Sequence, residues 1–398
     1  MGVSAAEQEV LDRLDESLVV DLTVALVQAA GENPPGEEAA TVRALCAAAA
    51  DLGLDVTETE VEPGRNNVRV RLNGGAGPGL LMLGHTDVVP VGAGWTTDPF
   101  GGVRRDGRIY GRGAADMKGG LAAALSAMAA LRSVTLRGPI ELAALVDEEE
   151  NGKGVRAYVD AHLAADVDTA NQRYLGCITA EPTDLQTIIG ARGASYVRVQ
   201  VRGKACHAGN PDDGANAIYG AAAAISEIER LHAELADRPH PLLGAATWSV
   251  GQVQGGTAGA IVPDECVVIA DRRLLPGESG AAVVDDLRAR LAGLADRGLT
   301  VEVSMPMEMP PFQTSADADL VRIAESALSD AGGPGLPVAG WTAACDGGFI
   351  ARDLGVPVVV LGPGSVTDEA HRADESVPVD QLVVAARTYV LTALRLLG

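Results

Sequence analysis

The sequence has few basic residues for its acidic content. Lys and Arg together number 31 against 54 Asp and Glu, which gives a formal net charge of −23 at pH 7. A field of that sign repels nucleic-acid phosphates and anionic membrane surfaces. We therefore expect no nucleic-acid partner and no attachment to a membrane.

Paired cysteines and long apolar runs are also lacking. The five cysteines are odd in number, far apart and without a Cys-x-x-Cys pair, which argues against a disulfide framework and a zinc ribbon. No apolar stretch approaches the roughly 20 residues that a membrane span requires. The first residues are acidic where an export signal needs a basic region and then an apolar one. These features predict a cytoplasmic protein.

Several catalytic signatures are absent as well. The chain contains no G-x-S-x-G, no G-x-x-x-x-G-K-[ST] and no G-x-G-x-x-G that follows a strand, which excludes the serine-triad, phosphate-loop and dinucleotide-binding interpretations. Cys206 stands beside His207, but sequence neighbours on an extended chain point apart, so a thiol nucleophile is disfavoured.

Four short, continuous apolar runs are each followed by acids or a histidine. Because such runs are typical of buried strands, and open α/β sheets bind ligands at the carboxyl ends of their strands, we expect these side chains to share one crevice. The runs are GLLML (79–83) before His85, IELAALV (140–146) before the acids 147–149, CITA (177–180) before Glu181, and VPVVVLG (356–362) before a loop with His371.

The pattern changes between residues 191 and 304. YVRVQVRG (196–203) alternates strictly, and the segments that follow predict the order βαββαβ of ferredoxin-like domains. We predict an α/β fold, a catalytic domain with a mainly parallel mixed sheet and helices on both faces, interrupted by an α+β domain. The predicted bounds are 1–190 and 305–398 for the catalytic domain and 191–304 for the insertion, with MPMEMPPF marking the return.

Each candidate ligand also has an ordinary structural interpretation. His85 and Asp87 could be a polar pair at a strand end, Asp116 in GRGAADMKGG a helix N-cap, and the acids of DEEENG a solvated cluster. However, residues two apart on a strand point the same way, so Asp87 can accept one imidazole N–H and direct the other nitrogen of His85 to a metal. Two histidines, a bridging acid and terminal acids are what a dinuclear zinc site needs.

Seven motifs in this order resemble the M20 family of zinc-dependent aminoacylases and peptidases, in its acetylornithine deacetylase and succinyl-diaminopimelate desuccinylase branch. The resemblance spans nearly the whole chain. The motifs are LGHTDVVPVGAGWTTDPF, GRGAADMKGG, DEEENGKG, EPT, GKACHAGNPDDGANAI, DRRLLPGE and GPGSVTDEAHRADESV.

The resemblance implies a role for each candidate residue. His85, Asp116 and Glu181 would hold one Zn²⁺, and Asp116, Glu149 and His371 the other, with Co²⁺ as a substitute. Glu148 would be the general base and Asp87 would orient His85, although a slip of the base and ligand onto Glu149 and Glu150 stays open. The inserted domain would form a lid and a homodimer interface, His207 would reach the partner's site, and Arg273 would bind a substrate carboxylate. The Asp116–Met117 peptide would be cis.

The implied activity is removal of an acyl group from an N-acyl amino acid. Glu181 supports this deacylase branch, since the peptidase branches favour Asp there. The alternatives are a metallopeptidase acting on short peptides and a catalytically silent binding homologue. Ala260 stands where relatives usually carry a substrate-binding asparagine, so the resemblance does not extend to the substrate specificity of the best-known members.

Overall fold

The computed structural model describes residues 2–165 and 173–398 of the chain. Its helices are α1 Ala5–Leu11, α2 Glu16–Gln28, α3 Ala39–Asp51, α4 Gly119–Leu131, α5 Lys153–Ala165, α6 Ala217–Ala236, α7 Gly280–Leu291, α8 Asp319–Asp330, α9 Gly347–Leu354 and α10 Val379–Leu397. No helix in these ranges has the length and apolarity needed to cross a membrane.

The strands of the described residues form one large and three smaller sheets. They are β1 Asp55–Glu62, β2 Arg65–Leu72, β3 Gly79–His85, β4 Val103–Arg105, β5 Arg108–Tyr110, β6 Ile140–Leu145, β7 Tyr174–Thr179, β8 Ile188–Ala191, β9 Gly193–Arg202, β10 Cys206–His207, β11 Thr247–Gly255, β12 Ile261–Val262, β13 Glu265–Leu274, β14 Thr300–Met309, β15 Phe312–Gln313, β16 Ala339–Trp341, β17 Val358–Val360 and β18 Ser376–Pro378.

The large sheet is mixed, as the sequence predicts, and has the order β1-β2-β6-β3-β7-β17-β8-β15, with β16 beside β8. The neighbours β6, β3, β7 and β17 run parallel, while β2 pairs antiparallel with β6. All residues of β3 and β6 are buried, which explains their unbroken apolar sequences. Because the four central strands are parallel, their carboxyl ends emerge at one edge of the sheet.

The chain divides into two compact units. The first contains residues 1–190, 313–340 and 346–398, and the second contains 191–312 and 341–345. The second unit carries the sheet β11-β13-β9-β14, all antiparallel, with α6 and α7 as its helices. This is the strand order of a split βαββαβ unit. Its sheet continues past the predicted boundary at 304, since β14 pairs with β9 as far as Met309.

Candidate metal centre

The carboxyl ends of the parallel strands bring the predicted ligands together within the first unit. His85 is the last residue of β3, Glu149 follows β6, and Glu181 follows β7. Asp116 lies in the turn Ala114–Lys118 that leads into α4, where its peptide bond to Met117 is cis. His371 comes from the loop between β17 and β18.

Asp116 stands between the two imidazoles. His85 Nε2 lies 3.2 Å from Asp116 Oδ1 and 3.7 Å from Glu181 Oε1. His371 Nε2 lies 3.3 Å from Asp116 Oδ2 and 3.2 Å from Glu149 Oε2. In each of the groups His85–Asp116–Glu181 and Asp116–Glu149–His371, one ligand atom per residue falls within 4.8 Å of the others. Asp116 therefore offers a different oxygen to each group.

The two histidines differ in their access to solvent. The side chain of His85 is 1% exposed, whereas that of His371 is 52% exposed. The histidine of the first group is thus buried, and the histidine of the second group is open to solvent.

Asp87 connects the strand that carries His85 to the acidic loop after β6, which consists of residues 147–150. Its Oδ1 accepts a hydrogen bond from Glu148 N at 3.2 Å, and its Oδ2 accepts from Glu149 N at 3.1 Å and from Asn33 Nδ2 at 3.0 Å. The closer acceptor for His85 Nδ1 is the Asp87 carbonyl at 3.0 Å, with the carboxylate at 3.6 Å. Both contacts leave Nε2 of His85 to face Asp116 and Glu181.

Glu148 and Glu149 are both half-buried, and Glu150 is exposed. Only Glu149 of these three belongs to a ligand group. Burial raises the pKa of Glu148 well above its ordinary value, and the nearby charges of Glu181 and Asp346 add to the effect. The structure therefore places Glu148 beside the cluster with its carboxylate outside the two ligand groups.

The ionisable groups of the cluster strongly perturb one another. Burial raises the pKa of Glu181 to about 7. Burial also opposes ionisation of Asp116, but hydrogen bonds from His371 and His85 outweigh it and hold the pKa of Asp116 below its usual range. The Asp116 and Glu149 carboxylates raise the pKa of His371 to about 10. The acids are thus held close together in a poorly solvated place.

This donor set fits divalent cations. Four carboxylates, from Asp116, Glu148, Glu149 and Glu181, face two imidazoles, and cations would neutralise the excess negative charge. Imidazole nitrogen and carboxylate oxygen are ordinary zinc ligands. Within residues 2–165 and 173–398, Glu149 Oε1 is buried without a hydrogen-bond partner, as expected of an atom that awaits a cation.

Three further residues around the cluster were not predicted from the sequence. Glu375 Oε1 accepts hydrogen bonds from the backbone N–H groups of Ala115 and Asp116, at 3.0 and 3.1 Å, and so fixes the bridging acid. Asn33 Nδ2 bridges Asp87 and Asp147. Asp346 is buried, and neither of its carboxylate oxygens has a hydrogen-bond partner in the described part of the chain. Glu375 and Asn33 are distant in sequence from the residues that they contact, so local spacing does not predict these hydrogen bonds.

The remaining predicted site residues, His207 and Arg273, lie in the second unit. His207 ends β10, is exposed, and accepts a hydrogen bond from Gly209 N at its Nδ1 at 3.0 Å. Arg273 is on β13, where its Nε donates to Asp271 Oδ1 at 2.9 Å. Neither residue belongs to the ligand groups of the first unit.

Comparisons with known proteins agree with a metal-dependent hydrolase of amide bonds. The sequence is 32% identical over 325 residues to an acetylornithine deacetylase from Myxococcus xanthus, covering 79% of this chain and 80% of the relative. It is also 32% identical over 330 residues to a succinyl-diaminopimelate desuccinylase from Methylobacillus flagellatus, covering 80% and 84%. A dinuclear metal-binding peptidase of the M20 family from Bacillus subtilis has the same fold, with a TM-score of 0.73, 17% identity and coverage of 96% and 98%.

Residues 81–395 match the model of peptidase family M20/M25/M40. The chain belongs to this family, and it is a hydrolase of the M20 class. The resemblance predicted from the seven motifs is confirmed.

Proposed function

We propose that this protein is a dinuclear zinc amidohydrolase that removes an acyl group from N-acyl amino acids. The observation that carries the proposal is the position of Asp116, with one carboxylate oxygen toward each of two histidine-containing groups. His85, Asp116 and Glu181 would hold one Zn²⁺, and Asp116, Glu149 and His371 the other, with Co²⁺ as a substitute. When bound, such a cation pair lowers the pKa of water toward about 7 and polarises the amide carbonyl.

Glu148 is the general base in this proposal. Its backbone N–H is held by Asp87, and its carboxylate has no ligand duty. Glu148 removes a proton from the attacking water as the new C–O bond forms, and it returns the proton to the amine nitrogen as the C–N bond breaks. Such general acid–base catalysis typically raises the reaction rate by a factor of roughly 10² to 10⁴. The exposure of Glu150 favours this register over a slip to Glu149 as base and Glu150 as ligand.

The second unit would supply substrate-binding groups and the contact between subunits. β11 is an edge strand of its sheet, and Val253 on it is 56% exposed. Ile218, Tyr219 and Ile261 in the same unit also expose large apolar side chains. An edge strand with no further neighbour among the described residues, in a unit that also exposes apolar side chains, suits a homodimer. In that dimer His207 reaches the partner's centre and stabilises the oxyanion, while Arg273 binds the substrate carboxylate.

Complementation between inactive variants tests the role of His207 across the dimer. His207→Ala and Glu148→Gln each remove turnover, but a mixed dimer contains one centre with both native residues if His207 acts on the partner. Random mixing should restore about a quarter of the parental rate, since half of the dimers are mixed and one of their two centres is complete. If mixing restores nothing although exchange of subunits is verified, His207 does not act in the partner's centre.

The substrate class is supported by the two deacylase relatives and by Glu181. A peptidase that acts on short peptides is the second candidate, because solved structures with this fold include an aminopeptidase and a carboxypeptidase. We also propose a cytoplasmic location, since all five cysteines are free thiols. A catalytically silent homologue is the remaining alternative, although both ligand groups and Glu148 are in place.

A substrate panel on zinc-loaded protein separates these candidates. We expect release of free amine from acetyl or succinyl amino acids, beginning with ornithine and diaminopimelate derivatives, at higher kcat/KM than from dipeptides. Glu148→Gln should lower kcat by roughly 10² to 10⁴ and retain two metal ions. Preferred cleavage of dipeptides would support the peptidase candidate, and no hydrolysis of any member by metal-replete protein would favour the silent homologue.

A further inference from the structure

A cluster of arginines lies on the large sheet near the amino ends of its parallel strands, whereas the metal centre lies at their carboxyl ends. Arg69 and Arg71 are two residues apart on β2, so their side chains share one face of the strand. Arg173 immediately precedes β7. A cavity of about 480 Å³ is lined by all three arginines together with His162 and Glu141. This cavity lies near the amino ends of β3, β6 and β7. His85 is at the other end of β3, so the cavity and His85 are separated by about the length of that strand, roughly 20 Å.

Two of these arginines have no partner among residues 2–165 and 173–398. Neither Arg69 nor Arg173, both half-buried, forms a side-chain hydrogen bond or an ion pair there. Arg65, on the same face of β2, is by contrast ion-paired with Glu38 and Asp147. A half-buried, unpaired guanidinium is costly, so an external partner would stabilise it.

The charge around the cavity is positive in a strongly acidic protein. The three guanidinium groups face one buried carboxylate, that of Glu141, which already accepts a hydrogen bond from Tyr158 Oη at 2.8 Å. Burial lowers the pKa of His162, so its imidazole adds no positive charge at neutral pH. Among the described residues that line the cavity, two positive charges are therefore in excess, whereas the whole chain carries −23.

The cavity has room for a small ligand. Arg69, His162 and Arg173 also line an adjoining cavity of about 270 Å³. His162 Nδ1 faces the Tyr158 carbonyl at 2.8 Å, and Tyr174 Oη lies 3.4 Å from His162 Nε2, which holds the ring in place. Arg69 and Arg173 therefore line both cavities, next to the hydrogen-bonded ring of His162.

We propose that Arg69, Arg71 and Arg173 form a binding site for a small dianionic oxyanion, separate from the metal centre. Phosphate and short dicarboxylates share the required chemistry, because a guanidinium presents two parallel N–H donors to a pair of oxygens. Two excess positive charges match the charge of such a ligand. The site is independent of the reaction proposed above, since none of its residues belongs to the metal centre.

Calorimetric titration of the metal-loaded enzyme at constant ionic strength tests the site, with inorganic phosphate in one arm and succinate in the other. We expect saturable binding of at least one anion with a Kd at or below the millimolar range. Tighter binding of phosphate would identify a phosphate site, and tighter binding of succinate would identify a dicarboxylate site. Saturable binding of neither anion would overturn the proposal.

Variants distinguish this site from anion binding at the metal centre. Arg69→Gln combined with Arg173→Gln should weaken binding at least tenfold and leave kcat unchanged, which shows that the protein is folded. Arg322→Gln, the same change at an exposed position of α8, should bind like the parent. If the double glutamine variant does not fold, Arg69→Lys with Arg173→Lys keeps the charge, loses the planar fork, and should still weaken binding. Equal binding by parent and double variant would refute the assignment.

Discussion

The hydrogen bonds around Asp87 make Asp87→Asn an informative change. The substitution keeps the shape of the side chain but converts one acceptor oxygen to an NH₂ group. In the parent protein, Oδ1 accepts from Glu148 N, and Oδ2 accepts from Glu149 N and Asn33 Nδ2. In either orientation of the new amide, its NH₂ group would face the backbone N–H of Glu148 or of Glu149. Two donors would then face each other without an acceptor.

The expected magnitude follows from those contacts. Asp87 is fully buried, so a stranded N–H group costs roughly 1–3 kcal/mol. Loss of a partner that orients metal ligands typically costs 10- to 100-fold in metal affinity or activity, about 1.4–2.7 kcal/mol. We expect Asp87→Asn to lower zinc affinity or kcat by 10- to 100-fold and to reduce the free energy of unfolding by about 1–3 kcal/mol.

Zinc affinity would be measured by competition with a chelating dye, turnover by release of free amine, and stability by urea denaturation. Asp106→Asn is the matched control, because this side chain is 80% exposed and asparagine tolerates its left-handed backbone. If Asp87→Asn bound zinc and turned over like the control, Asp87 would not position the acidic loop, and the reasoning from its acceptors would fail.

Two further changes test an ion pair between α1 and α10 and the close packing beside Glu181. A hydrogen-bonded ion pair with Arg395 holds the pKa of Glu7 at about 2, below its ordinary value of 4.5. The pair therefore contributes stability that is fully present above pH 4.5 and is lost as the pH falls toward 2. Glu7→Gln should therefore lower the free energy of unfolding by up to about 3 kcal/mol at pH 7, with the gap narrowing below pH 4.5 in denaturation curves; a gap independent of pH would contradict this. A Cβ at Gly120 would lie 2.0 Å from the Ala180 carbonyl oxygen. Gly120→Ala should lower the free energy of unfolding by at least 1–3 kcal/mol, roughly the cost of overpacking, and should weaken zinc binding because it displaces Glu181. Gly293→Ala is the control, since its Cβ would have no neighbour within 4 Å and should change neither property.

Local sequence patterns predict the parts of the fold that depend on neighbours along the chain. The apolar runs before His85, Glu149 and Glu181 are strands β3, β6 and β7, since continuous burial requires continuous apolar sequence. The run at 356–362 also contains a strand, the shorter β17. The order βαββαβ was likewise predictable from alternation and helix periodicity. These patterns also place the candidate ligands at one sheet edge.

Contacts between distant segments could not be predicted in the same way. Glu375 fixes the backbone of Asp116 from 259 residues away, and Asn33 reaches Asp87 across 54 residues. The proline-bearing stretch after Ser304 looks like a domain boundary, but pairing with β9 keeps Met307–Met309 in a strand. Asp87 was predicted to orient His85 through its carboxylate, whereas its carbonyl is the closer acceptor, because backbone geometry rather than residue type decides that contact.

The central claim is that two cations share Asp116, and anomalous diffraction at the zinc absorption edge tests it directly. Crystals of zinc-loaded protein should show two peaks, one among His85, Asp116 and Glu181 and the other among Asp116, Glu149 and His371. A single peak, or peaks that do not contact Asp116, in crystals whose zinc content is verified by elemental analysis would contradict the account.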